Sequence, residues 1–487
     1  MGRASAARLA GIDASGARRL GLFRPCGTVA FMRGYIAAPR LPAYHPACGN
    51  ISAHRHICLT ALLFAPAPLR VRRSGVMLRI MTCAVLVFGL WPVAAQAQAG
   101  LLPAKDDVAG NRAQPEFDPM GIRLGPWLAK ASMRIDNGYD DNLFGTATEK
   151  EGDGFVIVSP SLSVESDWAR HGLDFSAKGG LTRYYSHPRQ RSDEYVLRAG
   201  GRLELGSTTI VAANASTSLN SERNGANGAP LSTGKPSQYH DTSYQIAVSE
   251  DLSPVRLGIA LSHGRTRYND LVNSNGRRIT QAFRDSNRWA LQGSAIYAPT
   301  DVAALGVTAQ VQRTDSHISD RAGTSFSIAG SGAIDLGMIR IEGELGYLQR
   351  IYTRSALRDF NGPSYSGTAS WYPTSLLAFS VSARRTLENS GNPGVGVIVS
   401  QNYRAEASYE LLRNFVIQAE VSEKRQNFRE IGTRSAIHAQ EVKGEYLFNR
   451  SVAIGAYARH ECRDSTDPSR VRSFCTILTG ASLTFRR

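Results

Sequence analysis

The chain is 487 residues long, carries a net charge of +15 and is 42% hydrophobic, a length at which a soluble protein holds two or three domains. The charge is unevenly spread: residues 1–99 hold twelve Arg, no Lys and one acid, Asp13, so the other 44 basic and 40 acidic residues leave only +4. With no Lys/Arg stripe interleaved with aromatics, that distribution excludes nucleic acid as a partner.

Residues 1–76 are rich in Arg and Ala, lack a clear amphipathic period, and read as a disordered extension of doubtful status. Residues 77–99 read as a signal peptide. Arg72, Arg73 and Arg79 precede the apolar run from Ile80 to Trp91, and Ala95-Gln96-Ala97 and Ala97-Gln98-Ala99 offer small-residue cleavage sites. The run is too short to cross a bilayer comfortably as a helix. Met77 and Met81 are alternative starts to Met1. Residues 100–125, polar and carrying Pro103, Pro115 and Pro119, read as a periplasmic lead-in.

From residue 126 to 487 strand patterns follow one another. In the stretch from Leu377, Leu377, Phe379, Val381 and Ala383 alternate with Ala378, Ser380, Ser382 and Arg384, a period of two. The same alternation sets Leu173, Phe175, Ala177 and Leu181 against Asp174, Ser176 and Lys178, and Leu257, Ile259 and Leu261 against Arg256 and Ser262. In Ile339 to Tyr347 the apolar phase slips at Gly343. Short turns such as Gly206-Ser207-Thr208 and Pro373-Thr374-Ser375 alternate with long polar segments such as Asp140 to Gly154 and Asn269 to Asn287. Counting them predicts about 18 antiparallel strands, with 16 as the other count, in an all-β, up-and-down transmembrane barrel.

In such a barrel the apolar set faces lipid and the charged set faces water in the lumen, because unpaired charge in a dry core is very costly. Arg340, Glu342, Glu344, Arg384, Arg404, Glu406, Glu420, Lys424, Glu441, Lys443 and Glu445 then line the lumen. Rings of one sign predict ion selectivity; these signs are mixed, so selectivity is expected to be weak. Trp168, Tyr297, Trp371, Tyr372, Tyr409, Tyr446 and Phe448 lie near short turns and suit a periplasmic aromatic girdle. Cys462 and Cys475 share one parity in the last hairpin and suit a disulfide. Asp136, Asp140, Asp141 and Asn142 cluster without the spacing of an EF-hand loop, so no metal is assigned. No cofactor or catalytic residue is assigned either: no serine pairs convincingly with His263 or His460, and the glycines from Gly391 to Gly396 precede no helix.

Several segments, in order, resemble the putative beta-barrel porin 2 family of alphaproteobacterial outer membranes. They are Pro115-Glu116-Phe117-Asp118-Pro119-Met120-Gly121-Ile122-Arg123-Leu124-Gly125, Gly138-Tyr139-Asp140-Asp141-Asn142-Leu143-Phe144, Ser166-Asp167-Trp168-Ala169-Arg170-His171, Trp371-Tyr372-Pro373-Thr374 and Glu410-Leu411-Leu412-Arg413-Asn414-Phe415. The resemblance implies a porin-type barrel in the cell outer membrane and no enzymatic activity. The expected function is passive diffusion of small hydrophilic solutes. The alternatives are an accessory barrel of exopolysaccharide export or a structural surface-loop barrel with a closed lumen. Expected partners are outer-membrane lipid, a small hydrophilic solute or polysaccharide, and the outer-membrane assembly machinery, with a homo-oligomer left open. One departure concerns the assembly signal: the terminal aromatic, Phe485, is followed by Arg486 and Arg487.

Overall fold

The computed structural model describes residues 101–102, 108–110, 112–222, 235–272, 277–317, 319–354, 357–392 and 394–487. The extension and signal peptide expected over residues 1–99 lie outside them. Among the described residues no helix is long and apolar enough to cross a membrane.

The chain forms eighteen long strands: β1 (Trp127–Asp140), β2 (Asp153–Ser166), β3 (Gly172–Tyr184), β4 (Ser192–Leu205), β5 (Thr209–Glu222) and β6 (Ser237–Leu252). These are followed by β7 (Val255–Tyr268), β8 (Ser286–Thr300), β9 (Ala303–Ser316), β10 (Gly323–Asp335), β11 (Ile339–Tyr352) and β12 (Phe360–Thr374). The last six are β13 (Leu377–Asn389), β14 (Val397–Leu412), β15 (Phe415–Phe428), β16 (Thr433–Leu447), β17 (Val452–Ser465) and β18 (Phe474–Arg486). Each pairs antiparallel with the next, and β18 returns to β1 in nine residue pairs from Ser132↔Arg486 to Asp140↔Leu478. The sheet is therefore closed.

Closure needs every backbone group of β1 to find a partner on both sides. Beyond the last pair, Ala131 exchanges two backbone bonds with Arg487 (3.0 and 2.9 Å). Below that the short strand Ile122–Leu124 takes over, pairing with the first three residues of β1. The two residues after Phe485 thus complete the seam, which gives Arg487 a structural reason to follow the terminal aromatic.

The alternation turns the apolar columns outward. Leu257, Ile259, Leu261, Ile341 and Val381 are all exposed, and Leu345 is 75% exposed. Their neighbours of opposite parity face the lumen. The slip expected at Gly343 does not occur: β11 pairs without a break on both sides, and Gly343 stays in the outward column opposite Gly332 and Gly367. A row of small residues there looks like a change of phase in sequence, although the pairing is regular.

One end of the barrel carries short turns, in which Gly206 and Gly337 take positive φ. The other end is less uniform than the sequence suggested. The connections at 141–152, 223–236 and 269–285 are long, whereas β15 and β16 are joined by only four residues. The first of the long connections is tied by charge. Asp153 accepts from the His187 ring (2.9 Å) and from the backbone of Ser186 and His187, while the other ring nitrogen meets Glu151 at 2.7 Å.

Cys462 and Cys475 stand directly opposite on β17 and β18, with Cα atoms 4.1 Å apart, and are bonded. The bond closes a loop over a sequence separation of 13, so Cys462→Ser/Cys475→Ser should lower stability by about 2–3 kcal/mol through the freer unfolded chain. Denaturation of the refolded barrel in detergent measures this. The hydrogen bond to Asp153, followed by Glu151, raises the His187 pKa above the usual histidine range. Its contribution is then full below the unfolded value and fades as pH rises through the folded one. Amide exchange at residues 185–191 should accelerate as pH climbs from mildly acidic to alkaline beyond its intrinsic rate change, and His187→Gln should remove that extra dependence.

Candidate functional site

Among the described residues, the charged side chains singled out in the sequence collect on one parity of the strands. Arg340, Glu342 and Glu344 on β11, Arg384 on β13, and Arg404 and Glu406 on β14 all carry the parity opposite to the exposed apolar columns. So do Glu420 and Lys424 on β15, and Glu441, Lys443 and Glu445 on β16. Several are paired: Arg340 with Glu342, Arg404 with Glu420 (3.4 Å), and Lys424 with Glu388 (2.8 Å). Glu388 and the pair Arg459–Glu461 (2.7 Å) share the inward parity and belong to the same wall.

The outer rim at the short-turn end is aromatic. Trp168, Tyr297, Trp371, Tyr409, Tyr446 and Phe448 are exposed there. Trp168 packs edge-on against Trp127 (5.3 Å), Trp371 stacks on Phe379 (5.4 Å), and Tyr446 lies 6.3 Å from Phe415. Tyr372 stands apart: it follows Trp371 where the register with β13 shifts, and it is half-buried. Of the acidic cluster near residue 140, Asp136 pairs with Arg134 (2.7 Å) and Asp141 with Lys150 (3.3 Å). Asp140 accepts from Thr476 (2.8 Å) and from the backbone of Asn142, binding the first loop to β18.

At the end opposite the short turns the connections fold inward. Val395 from the β13–β14 loop and Val471 from the β17–β18 loop bury themselves against inward-facing Ile398 and Phe428. Arg321, in the β9–β10 loop, donates to the carbonyls of Ser390 (2.7 Å) and Asn392 in the β13–β14 loop, and so bridges the mouth. From the β7–β8 loop Arg284 reaches into the barrel, makes a two-pronged pair with Glu222 (2.6 and 2.8 Å), and lies 3.8 Å over the Tyr268 ring. Arg288 on β8 pairs with Asp241 on β6 (3.2 Å).

Arg350 donates to the Arg321 carbonyl at 3.2 Å. Among the described residues, neither Arg321 nor Arg350 has a carboxylate partner. Burial, and next the neighbouring Arg284, lower Arg321 to about 10, which leaves it charged at neutral pH. With Arg284 these two arginines line a cavity of about 20 Å³, room for about one water. The loops and strand ends at the mouth therefore carry a surplus of positive charge on the β9–β11 side. Sequence alternation marks Arg288 and Arg350 as inward. It offers no signal for Arg284 and Arg321, because loop residues have no periodicity.

A family model described as putative beta-barrel porin 2 matches residues 114–487. No curated protein matches the chain. Solved structures that do match include Pseudomonas aeruginosa OpdK with vanillate, at 11% identity and a TM-score of 0.41 over 74% of this chain and 98% of that one. Acinetobacter baumannii OccAB4 matches at 10% identity and 0.42, and Pseudomonas aeruginosa OccK2 in complex with glucuronate at 12% and 0.42, each over 74% of this chain and 98% of theirs.

The Arg284–Glu222 pair tests how firmly the mouth is held. Arg284→Leu leaves a largely buried carboxylate without its partner and should destabilise the β7–β8 loop by roughly 2 kcal/mol. Amide exchange over the described part of 269–285 reads the loss, and Glu222→Gln in the same chain should recover most of it.

Proposed function

The chain belongs to the putative beta-barrel porin 2 family, and we propose that it works as a passive diffusion channel for small hydrophilic solutes. It is a porin-type outer-membrane barrel, with greasy columns outward and wet ones inward. The observation that carries the proposal is the inner wall of β11 and β13–β17. Its charges are of both signs, and several are paired, Arg404 with Glu420, Lys424 with Glu388, and Arg459 with Glu461. Such a wall is solvated by water and holds no single counter-ion tightly, so a hydrophilic solute partitions along it under its own gradient. Solvated, paired charge is also all that a closed structural barrel would need, and the inward-folded loops around Phe428 favour that second reading.

Selectivity then follows from the loops at the mouth and not from the wall. Arg321 and Arg350 add two cations without carboxylate partners at one end of a lumen wall of mixed sign, which makes small anions and neutral polar molecules the preferred solutes. The aromatic rim at the short-turn end suits the membrane interface, and a lipid boundary there completes the assignment.

Planar-bilayer recording of the refolded protein decides between channel and closed barrel. Steady unitary pores of nanosiemens order are the expected result, and electrical silence sinks the channel reading. In a salt gradient the reversal potential should show weak anion preference. Arg321→Gln/Arg350→Gln should move that potential toward cations and enlarge the conductance, since it removes both the surplus charge and the bridge to Ser390.

A further inference from the structure

The inner wall is polar along most of its height but not at the short-turn end of β8–β10. There Ile296 and Ala298, Ala304, and Ala333 face the lumen, and Ala304 and Ala333 are almost wholly buried. An apolar patch on the wall of a water-filled channel stays uncovered only at a free-energy penalty. It is covered here by the chain itself. Leu101 and Leu102 pack onto these four side chains, and the Arg340 guanidinium donates to the Leu102 carbonyl at 3.1 Å. Gly306, on the same wall, lies beside Leu101: a Cβ there would be 3.4 Å from its side chain, in ordinary contact.

A second anchor sits on another sector of the wall. Val108 and Ala109 are buried. Gly110 takes φ +86° and lies so close to the inward-facing Ser408 and Gln418 that a Cβ on it would come within 3.7 Å of both. Arg112 lies 3.9 Å from Glu410, whose carboxylate is 2% exposed and has one oxygen with no hydrogen-bond partner. Beyond this point the chain leaves the lumen over the rim. Arg450 and Arg486 donate to the carbonyls of Pro115 and Phe117 at 2.9 and 3.1 Å.

We propose that the niche of Ile296, Ala298, Ala304, Ala333 and Arg340 is a seat for the chain's own segment around Leu101–Leu102. With the Arg112–Glu410 latch, that segment acts as a plug that narrows the periplasmic mouth. The proposal rests on the reading of the lumen as a channel. The plugged form conducts less, and release of the leucines from their seat gives the wider form. A Leu pair with one ion pair at the far anchor is a small hold, suited to reversible seating and not to permanent closure. The occupant is this chain and not a foreign peptide, because the residues that fill the niche are covalently continuous with the rim contacts at Pro115 and Phe117.

The test uses the full chain assembled in outer membranes, in a Cys462→Ser/Cys475→Ser background so that no native bond confuses the result. Leu102→Cys/Ala304→Cys should form an intramolecular disulfide, read by peptide mapping under non-reducing conditions. Failure to form it overturns the seat. In planar bilayers the bonded protein should hold one low conductance level, and reductant should restore transitions to a higher one. Leu101→Ser/Leu102→Ser, and separately Arg112→Gln/Glu410→Gln, should raise the time spent in the higher level. If these variants and the bonded protein all conduct as the parent does, the plug fails while the channel stands. If parent and variants are all silent, the channel reading fails and takes the plug with it.

Discussion

A chain that crosses lipid as strands has nowhere to leave an open edge, since unpaired backbone groups have no water to bond with. Everything in this barrel follows from satisfying that condition once, at the seam between the first strand and the last. Nine residue pairs close it, Arg487 adds two bonds to Ala131, and Ile122–Leu124 covers what the last strand is too short to reach. Once the ring is closed, alternation does the rest. Every second side chain is committed to lipid, every other one to the lumen, and eighteen strands at this spacing enclose a space too wide for side chains alone to fill. The remaining space is then decided by loops and by the terminal segment.

Those two fillers use different chemistry. At the mouth the loops bring in apolar side chains, Val395 and Val471, which pack on Ile398 and Phe428. They also bring arginines, of which Arg284 is neutralised by Glu222 while Arg321 is held by carbonyls and lies over the Phe283 ring. At the short-turn end the filler is a pair of leucines on a patch of alanine and isoleucine. Buried charge that is neutralised in pairs resists rearrangement because each partner left behind pays desolvation. Leucine on alanine carries no such penalty, so the two ends differ in how readily they let go.

Much of the fold was legible in the chain. Strict alternation in stretches such as Leu377 to Arg384, together with short turns at regular intervals, gives the strand number and the inward or outward sense of each residue. Cys462 and Cys475 were readable for the same reason, since equal parity across a hairpin places two side chains on one face. What stayed hidden is what breaks the period. Gly343 has no side chain to report its phase. Val395 and Val471 look like strand residues because burial in a folded-in loop selects the same side chains as lipid does. Arg284 and Arg321 sit where no pattern exists to read.

The leucines at 101 and 102 were hidden differently. They follow directly on an apolar leader and are diluted by prolines and charges, so a window across residues 100–125 averages to a polar linker. The informative signal lies on the opposite partner, more than 190 residues away in sequence. Ala298, Ala304 and Ala333 occupy inward positions that the rest of the wall gives to polar side chains, and Ile296 makes the departure plain. A wall that must be wet cannot tolerate an apolar patch unless something dry lies on it. Reading a barrel's inner face for such lapses therefore points to what occupies it, and here the lapse and its cover lie on the same polypeptide.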